Sequence, residues 1–336
     1  MDSNVLNKET DSAMLENMLI VSSTPHIRSN ESVSRIMLDV IIALIPAMIG
    51  SVYFFGLNAL KLILISIGAS LFFEAAIQKL FKKDITIKDY SAIVTGILLA
   101  FNLPANAPWW LPVFGAGFAI IVVKQLFGGL GSNFMNPALA ARAVLLASWP
   151  KIMSNFVLPG ADALSGATPL AIMKYGAADV GASATVAQAG AELPTIMNMF
   201  IGNIGGAIGE TSALLLLIGA LYLIIRKVIN WKVPFVYIAT TCVMLLILGV
   251  EADQIIYHVL GGGLILGAFF MATDYSSTPV TPVGQIVFGI GAGLLTAIIR
   301  VKGGFPEGVS YSILLMNVAS PLIEKFTGPK VFGRVK

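Results

Sequence analysis

The sequence predicts an all-α integral membrane protein with about ten transmembrane helices and essentially no soluble domain. Charged residues make up 12% of the 336-residue chain, whereas they make up about a quarter of a typical soluble domain. The hydrophobic fraction is 57% and the mean hydropathy is +0.86, so the folded surface needs lipid around it. Apolar runs of bilayer-spanning length recur almost to the C-terminus, and each predicts a transmembrane helix.

The apolar runs fall into two sets of five. The first set is predicted at Ile36–Phe55, Leu60–Leu80, Tyr90–Leu103, Leu111–Phe127 and Pro137–Trp149. The second set is predicted at Thr211–Ile229, Pro234–Val250, Ile255–Thr273, Val283–Arg300 and Val309–Phe326. The chain therefore divides into an N-terminal segment, a first repeat, a connecting loop, a second repeat and a tail, with bounds 1–35, 36–150, 151–205, 206–326 and 327–336.

The two sets of spans look like an internal repeat. When the first half is shifted by 174 positions, several glycines and prolines coincide: Gly115 with Gly289, Gly117 with Gly291, Gly129 with Gly303, and Pro108 with Pro282. Because five is an odd number of spans, the halves would enter the membrane with opposite orientations. The predicted architecture is therefore two inverted five-helix repeats, as in urea-channel-like folds.

Positive charge predicts which loops face the cytoplasm. Lysine and arginine concentrate in the N-terminal segment, in two loops and in the tail: Arg28, Arg35, Lys79, Lys82, Lys83, Lys88, Arg226, Lys227, Lys232, Lys325, Lys330, Arg334 and Lys336. By the positive-inside rule both termini are cytoplasmic and the loop 151–205 lies on the outer face. Arg300 and Lys302 are the exception, at an outer end.

Composition excludes several kinds of site. A net charge of +3 is too small to indicate a nucleic-acid partner. The single cysteine, Cys242, provides neither a disulfide framework nor the thiolates of an iron–sulfur cluster. Two histidines, His26 and His258, leave little for a histidine metal site, so we expect no bound metal. No glycine-rich dinucleotide-binding unit follows a strand, and any nucleotide or iron–sulfur chemistry would therefore belong to partner subunits.

The most informative motif lies in the connecting loop, at Asp162-Ala163-Leu164-Ser165-Gly166-Ala167-Thr168. Small residues let a bulky group approach the backbone closely. The Thr168 hydroxyl can become the oxygen of a phosphoester. From the residues alone, an ordinary polar loop explains the same stretch.

The motif Asp-x-x-Ser-Gly-Ala-Thr resembles the flavinylation motif of membrane redox proteins. Five further blocks are similar to the same family in the same order: Ser23–Ile27, Gly128–Ala138, Gly205–Ser212, Phe270–Asp274 and Phe305–Val309. The chain resembles, over roughly residues 23–326, the family shared by the D component of the Rnf electron-transport complex and the B component of the sodium-pumping NADH:quinone reductase. The short N-terminal segment of 35 residues favours the Rnf branch, with the reductase branch as the alternative.

The resemblance implies a membrane flavoprotein. A separate flavin transferase would esterify FMN through its phosphate to Thr168, with Asp162, Ser165, Gly166 and Ala167 completing the motif. The expected role is that of one subunit in a translocase of the bacterial or archaeal cytoplasmic (inner) membrane. Such a complex transfers electrons between ferredoxin and NAD⁺ and couples them to Na⁺ or H⁺ movement. Flavin, iron–sulfur and NADH-binding subunits would be its partners.

A second candidate site is the turn from Gly128 to Pro137. Glycines such as Gly128 and Gly129, with the amides of Asn133 and Asn136, can present hydrogen-bonding groups to a flavin ring. The resemblance adds riboflavin, or another non-covalent second flavin, as the ligand. A close-packed turn between helices is the competing interpretation.

Charged residues at membrane depth form a third group, since ionisable side chains in spans usually face a bundle interior. Asp39 and Glu74 are expected at the interface. Arg142 is expected to pair with either a carboxylate or a flavin phosphate. Asp274 lies in the helix break Thr273–Pro282, where it would either coordinate a coupling cation or tie the break together.

Two other functions suit the same fold. A solute channel is compatible with an inverted five-helix repeat but has no reason to carry the motif that ends at Thr168. A purely structural scaffold for the complex would tolerate loss of the flavin without loss of electron transfer.

The charge pattern makes one prediction about the loop 151–205. A cysteine introduced at Ala182 in a Cys242→Ala background should react with a membrane-impermeant maleimide in intact cells, because the loop is external. Labelling that requires cell lysis would contradict this topology.

Overall fold

The computed structural model describes residues 32–159, 165–175 and 193–328, and these residues are mostly helical. From Val33 onward the described chain forms one packed unit. Asp162 and Ala182 lie outside the described residues.

Among the described residues, five apolar helices precede the connecting loop: α1 (Val33–Phe55), α2 (Leu57–Leu80), α3 (Ser91–Phe101), α4 (Trp110–Gln125) and α5 (Pro137–Ser148). Gly56 joins the first two helices with a φ of 68°, a left-handed conformation that glycine adopts without strain. The second part of α4, Phe118–Gln125, is a π-helix. Asn136 caps α5, its side-chain oxygen accepting hydrogen bonds from the backbone of Ala138 and Leu139 at 3.0 and 3.2 Å.

The described parts of the connecting loop contain short elements. They are α6 (Pro150–Met153), β1 (Phe156–Val157), β2 (Ser165–Gly166), the helical residues 169–175, which we call α7, and α8 (Ile196–Ile201). The two strands pair antiparallel, with Phe156 opposite Gly166. This pairing sets the backbone position of the residues just before Thr168.

The remaining helices are α9 (Ala213–Ile225), α10 (Lys232–Ile247), α11 (Ile255–Leu260), α12 (Leu264–Leu266, continued as a π-helix over Gly267–Met271), α13 (Pro282–Lys302) and α14 (Val309–Thr327). Their positions follow the predicted apolar runs closely, except within Ile255–Thr273. There Gly261 is extended and Gly262 has a φ of 64°, which breaks the expected single helix in two.

Three helices, α1, α2 and α13, are long and apolar enough to cross a membrane. Five more described helices are apolar but only 10–17 residues long. Together with the composition, these helices make the chain a multi-pass α-helical membrane protein.

Where the short helices end, backbone N–H and C=O groups need hydrogen-bond partners from within the protein, because the lipid core offers none. The segment after α3 meets the segment before α9 in a local extended pairing. Ile208 donates its N–H to the carbonyl of Leu103 at 2.9 Å, and Gly209 donates to Phe101 at 3.0 Å. Pro104 and Ala207 form a bridge in the same pairing. Two non-helical segments, one from each half, thus satisfy each other's backbone hydrogen-bonding groups in the core.

Helices α1 and α9 cross closely at Gly219. A β-carbon built there would stand 2.0 Å from the carbonyl oxygen of Ala43 in α1. Because that contact is with backbone, a side chain cannot be accommodated by a rotamer change.

We therefore predict that Gly219→Ala destabilises the protein by about 1–3 kcal/mol, the usual cost of overpacking a core. The measurement is thermal unfolding of the purified protein in detergent. Gly68→Ala is the matched control, since Gly68 is an exposed helical glycine with nothing within 4 Å of the added carbon. Equal unfolding temperatures for the two variants would contradict the close crossing.

Candidate functional site

The centre of the site is the guanidinium of Arg142, which α5 holds in the core with 5% exposure. It donates hydrogen bonds to the carboxylate of Glu210 at 2.6 Å and to the side-chain oxygen of Asn102 at 2.7 Å. It also pairs with Glu307. Of the two partners expected for Arg142, the structure therefore provides carboxylates. We call Arg142, Glu210 and Glu307 the central ion cluster.

A second buried guanidinium, Arg300, lies beside the central ion cluster. It donates to the backbone carbonyls of Glu307 at 2.9 Å, Gly261 at 3.4 Å and His258. Its exposure is 2%. The described hydrogen-bond partners of Arg300 are therefore carbonyl dipoles, and its full positive charge is not matched by a directly bonded carboxylate.

The motif that ends at Thr168 leads into α7, and α7 packs against the region around Arg300. Lys174 donates to the carbonyls of Ile299 at 3.3 Å and Phe305 at 3.0 Å, and to that of Gly303. The adjacent Tyr175 hydroxyl donates to the carbonyl of Gly304 at 2.5 Å. Partial burial lowers the pKa of Lys174 from its ordinary value of 10.5. Lysine and tyrosine thus fasten α7 to the C-terminal end of α13.

Thr168 stands at the start of α7 with an exposed fraction of 7%. Its hydroxyl oxygen accepts the N–H of Ala171 at 3.3 Å. Its carbonyl accepts from Ala171 and Ile172 at 2.9 and 3.1 Å. Among the described residues, the Thr168 hydroxyl donates its own proton to no acceptor, so that proton can be replaced without breaking a recorded bond.

The other motif residues are only partly described. Gly166 packs so closely that an added β-carbon would stand 2.7 Å from the Leu158 side chain. Ala167 presents its carbonyl oxygen towards Gly205, 3.9 Å from a β-carbon built there. Asp162 and the side chain of Ser165 lie outside the described residues.

The turn 128–137 is built on glycine geometry. Gly128, Gly129 and Gly131 have φ values of 121°, 99° and 88°, a region that glycine occupies readily. Asn133 donates to the carbonyl of Met135 at 3.1 Å. Asn136 caps α5 and also donates to the carbonyl of Met271 at 3.4 Å. These contacts favour the interpretation as a close-packed turn.

A cavity of about 90 Å³ opens beside this turn. It has polar groups from separate helices and apolar walls; the polar lining residues are Ser91, Thr95, Lys124, Asn133, Asn136, Thr273, Asp274 and Ser276. Ligand pockets are usually about 300–1,000 Å³. The polar groups of the lining suit a small polar ligand.

Asp274 lies at the end of this cavity, in the predicted helix break. Its carboxylate accepts hydrogen bonds from the hydroxyls of Ser276 at 3.2 Å and Ser277 at 3.0 Å. Burial raises the pKa of Asp274, and the hydroxyl of Ser277 offsets part of that rise. The carboxylate is therefore tied to its own turn and also faces the cavity.

Asp39 and Glu74, which were expected at the membrane interface, are both buried among the helices of the protein. Asp39 accepts from the Tyr222 hydroxyl at 2.8 Å and pairs with Arg226 at 3.1 Å. Glu74 has no exposed surface and pairs with Lys124 at 2.7 Å. In both cases a basic or hydroxyl partner from a distant helix draws the carboxylate inward.

Sequence reasoning missed Lys124 and Glu307. Lys124 was the one charged residue inside the span Leu111–Phe127, and an intramembrane lysine is itself a signal of a buried partner. Glu307 lies within a block that carried the family resemblance, but nothing local predicted that it would meet Arg142 across 165 residues.

The fold and these buried ion pairs define a multi-pass α-helical membrane protein with ionisable groups in its core. A family profile, "NQR2, RnfD, RnfE family", matches residues 20–333. The chain belongs to that family, which confirms the resemblance found in the motifs.

Curated relatives match over nearly the whole chain. A protein of Acetobacterium woodii, named as the D component of a Na(+)-translocating ferredoxin:NAD(+) oxidoreductase complex, is 54% identical over 96% of this chain and 98% of its own length. The proton-translocating counterpart of Clostridium ljungdahlii is 45% identical over 95% of this chain and 97% of its own. The D component of an ion-translocating oxidoreductase complex of Escherichia coli K12 is 36% identical, over 94% and 99%.

Proposed function

We propose that this chain is the D component of an ion-translocating ferredoxin:NAD⁺ oxidoreductase complex of the Rnf type. The observation that carries the proposal is the 54% identity to a protein of that name over almost the full length of both chains. The single cysteine of the sequence supports the corollary that ferredoxin and NAD⁺ chemistry belongs to partner subunits, because iron–sulfur clusters need several thiolates.

The proposal includes a covalent FMN on Thr168, attached by a flavin transferase. The residues present fit this group: Thr168 offers a hydroxyl whose proton has no acceptor among the described residues, and its oxygen is held by the Ala171 N–H. The flavin, when bound, supplies one- and two-electron redox chemistry. The chain itself orients the attachment oxygen and holds α7 against α13.

The inverted repeat is part of the same proposal. In the first half α2 packs against α4 and α4 against α5; in the second half α10 packs against α13 and α13 against α14. Each half thus places its second, fourth and fifth helices in the same relation. With the charge pattern of the loops, this supports insertion in the cytoplasmic membrane with both termini in the cytoplasm.

A counterpart of the B component of Na⁺-translocating NADH:quinone reductase remains the alternative within the family. A urea-channel-like solute channel is less well supported, because the named relatives are components of ion-translocating oxidoreductase complexes. A second, non-covalent flavin such as riboflavin at the turn with Asn133 and Asn136 rests on the family resemblance alone, and no step is assigned to it.

Covalent FMN on Thr168 predicts that Thr168→Val abolishes flavin fluorescence of the denatured band on a gel, because valine has the same shape and no hydroxyl. The variant chain should still insert and assemble, since only one weak hydrogen bond to the Ala171 N–H is lost. The measurement is in-gel fluorescence under ultraviolet light, normalised to protein.

Ser165→Ala is the matched control, as it removes the other hydroxyl of the motif and should leave the band fluorescent. A Thr168→Val band that stays bright and darkens only with Ser165→Ala would move the attachment to Ser165.

We also propose that Asp274 contributes to ion coupling, on the strength of its place at the cavity. Asp274→Asn should raise the Na⁺ concentration for half-maximal turnover in proteoliposomes. Because burial raises the pKa of Asp274, protons compete for the carboxylate increasingly as pH falls. The wild-type half-saturating Na⁺ concentration should therefore rise at the lower of two pH values, while that of Asp274→Asn should not.

Superimposable sodium curves for wild type and Asp274→Asn at both pH values would leave the carboxylate with a structural role only, holding the hydroxyls of Ser276 and Ser277.

A further inference from the structure

The turn that connects α2 to α3 concentrates positive charge. Residues 79–88 contain four lysines and one carboxylate, a net charge of +3. The lysines are Lys79, Lys82, Lys83 and Lys88, and all four side chains are exposed. In the described parts of the chain none of these ammonium groups forms an ion pair with a carboxylate. We call residues 79–88 the basic turn.

Hydrogen bonds fix the backbone of the basic turn. The N–H of Lys83 donates to the carbonyl of Gln78 at 2.9 Å, and that of Lys82 donates to Lys79 at 3.2 Å. These two bonds form the Schellman motif that ends many helices. The side-chain amide of Gln78 then closes the turn, since it donates to the Thr86 hydroxyl at 2.8 Å and accepts the Thr86 N–H at 3.0 Å. The lysines therefore project from a preformed scaffold.

Lys82 occupies the position of the Schellman motif where glycine is the usual residue. Its φ is 54°, in the left-handed region that residues with a side chain seldom adopt. A cation is favourable at a helix C-terminus, but Lys79 already provides one in the last turn of α2. Because strained backbone is often found where a residue has a functional role, the conformation indicates a role for the Lys82 ammonium group.

Exposed apolar side chains alternate with the lysines. Leu80, Phe81 and Ile85 are 72%, 43% and 57% exposed. Helix α2 is long and apolar enough to cross a membrane, so the basic turn lies where the helix meets the membrane surface. Ammonium groups and apolar side chains at that depth match the boundary between phosphate headgroups and acyl chains. An acidic protein segment would match the lysines but not the three apolar side chains.

We infer that the basic turn binds the headgroup of an anionic phospholipid, with the Lys82 ammonium group as a central contact to the phosphate. Lysines clustered directly after a transmembrane helix attract anionic lipid, and the phosphate oxygens accept charge-assisted hydrogen bonds. The proposed orientation places this lipid in the cytoplasmic leaflet. The inference is independent of a flavin on Thr168.

The bound lipid also acts on a buried ion pair. At one end of the basic turn, Gln78 donates to the Glu74 carboxylate at 3.5 Å. Just beyond the other end, Asp89 accepts from the Ser91 hydroxyl at 2.7 Å, and the oxygen of that hydroxyl accepts from Lys124 at 2.6 Å. Lys124 pairs with Glu74. A lipid that fixes the basic turn therefore also fixes the helix ends that hold this pair.

Photo-crosslinking tests the lipid site directly. The purified complex, with benzoylphenylalanine in place of Phe81, is placed in nanodiscs of phosphatidylcholine and phosphatidylglycerol in known proportion. After irradiation, mass spectrometry identifies the adducts. The ratio of phosphatidylglycerol to phosphatidylcholine in the adducts should exceed the bulk ratio by on the order of tenfold or more, because each lysine near an anionic surface contributes about fivefold. The same probe at Ile85 should give the same enrichment. Both leaflets carry both lipids, so the result does not depend on the proposed orientation.

Matched variants separate charge from turn geometry. Lys82→Gly keeps the left-handed turn and removes the ammonium group, so the enrichment should fall about fivefold. Lys82→Arg keeps the charge and should keep the enrichment. Lys61→Met removes a lysine at the opposite end of α2 and should also keep it.

Three results would overturn the inference. The first is adducts in the bulk lipid ratio at both probe positions. The second is an enrichment that Lys82→Gly leaves unchanged, or that Lys82→Arg or Lys61→Met lowers as much as Lys82→Gly does. The third is crosslinking mainly to the polypeptide of another subunit, which would show that protein covers the basic turn.

Discussion

The interaction on which the core depends is the buried guanidinium of Arg142. It joins α5 to Asn102 after α3, to Glu210 before α9 and to Glu307 before α14. These partners come from both halves of the chain. Removing one member of a buried ion pair typically costs about 3–5 kcal/mol, because the remaining charge is stranded. The cluster therefore fixes the non-helical segments to each other at a depth where water cannot substitute.

The same constraint explains the backbone around the cluster. Helix α3 ends at Phe101, and the carbonyls of Phe101 and Leu103 accept hydrogen bonds from the N–H groups of Gly209 and Ile208. Broken helices are tolerated at membrane depth only where protein supplies such partners. In the second half the helix is broken at Gly261 and Gly262. Because Gly262 has no side chain, Leu170 and Arg300 can pack closely against it. The ion pairs of Arg142 and the backbone hydrogen bonds around them thus stabilise the same non-helical segments.

Sequence reasoning located most helices because a run such as Leu60–Leu80 has to be apolar to lie in lipid, and α2 begins only three residues earlier. It did not find the break at Gly261, where hydrophobicity continues and only backbone conformation changes. It assigned Glu74 to the interface from its position near a helix end. The partner Lys124 is 50 residues away, and local patterns carry no information about which distant helices will pack together.

The burial of Thr168, 7% exposed once α7 has docked, has a consequence for maturation of the protein. If Thr168 carries FMN as proposed, a transferase must reach its hydroxyl before Lys174 and Tyr175 fasten α7 onto the end of α13. Attachment then competes in time with docking. Chains that dock first become poor substrates, so the fraction of flavin-loaded protein would be set by the relative rates of modification and folding, and not by affinity for the cofactor.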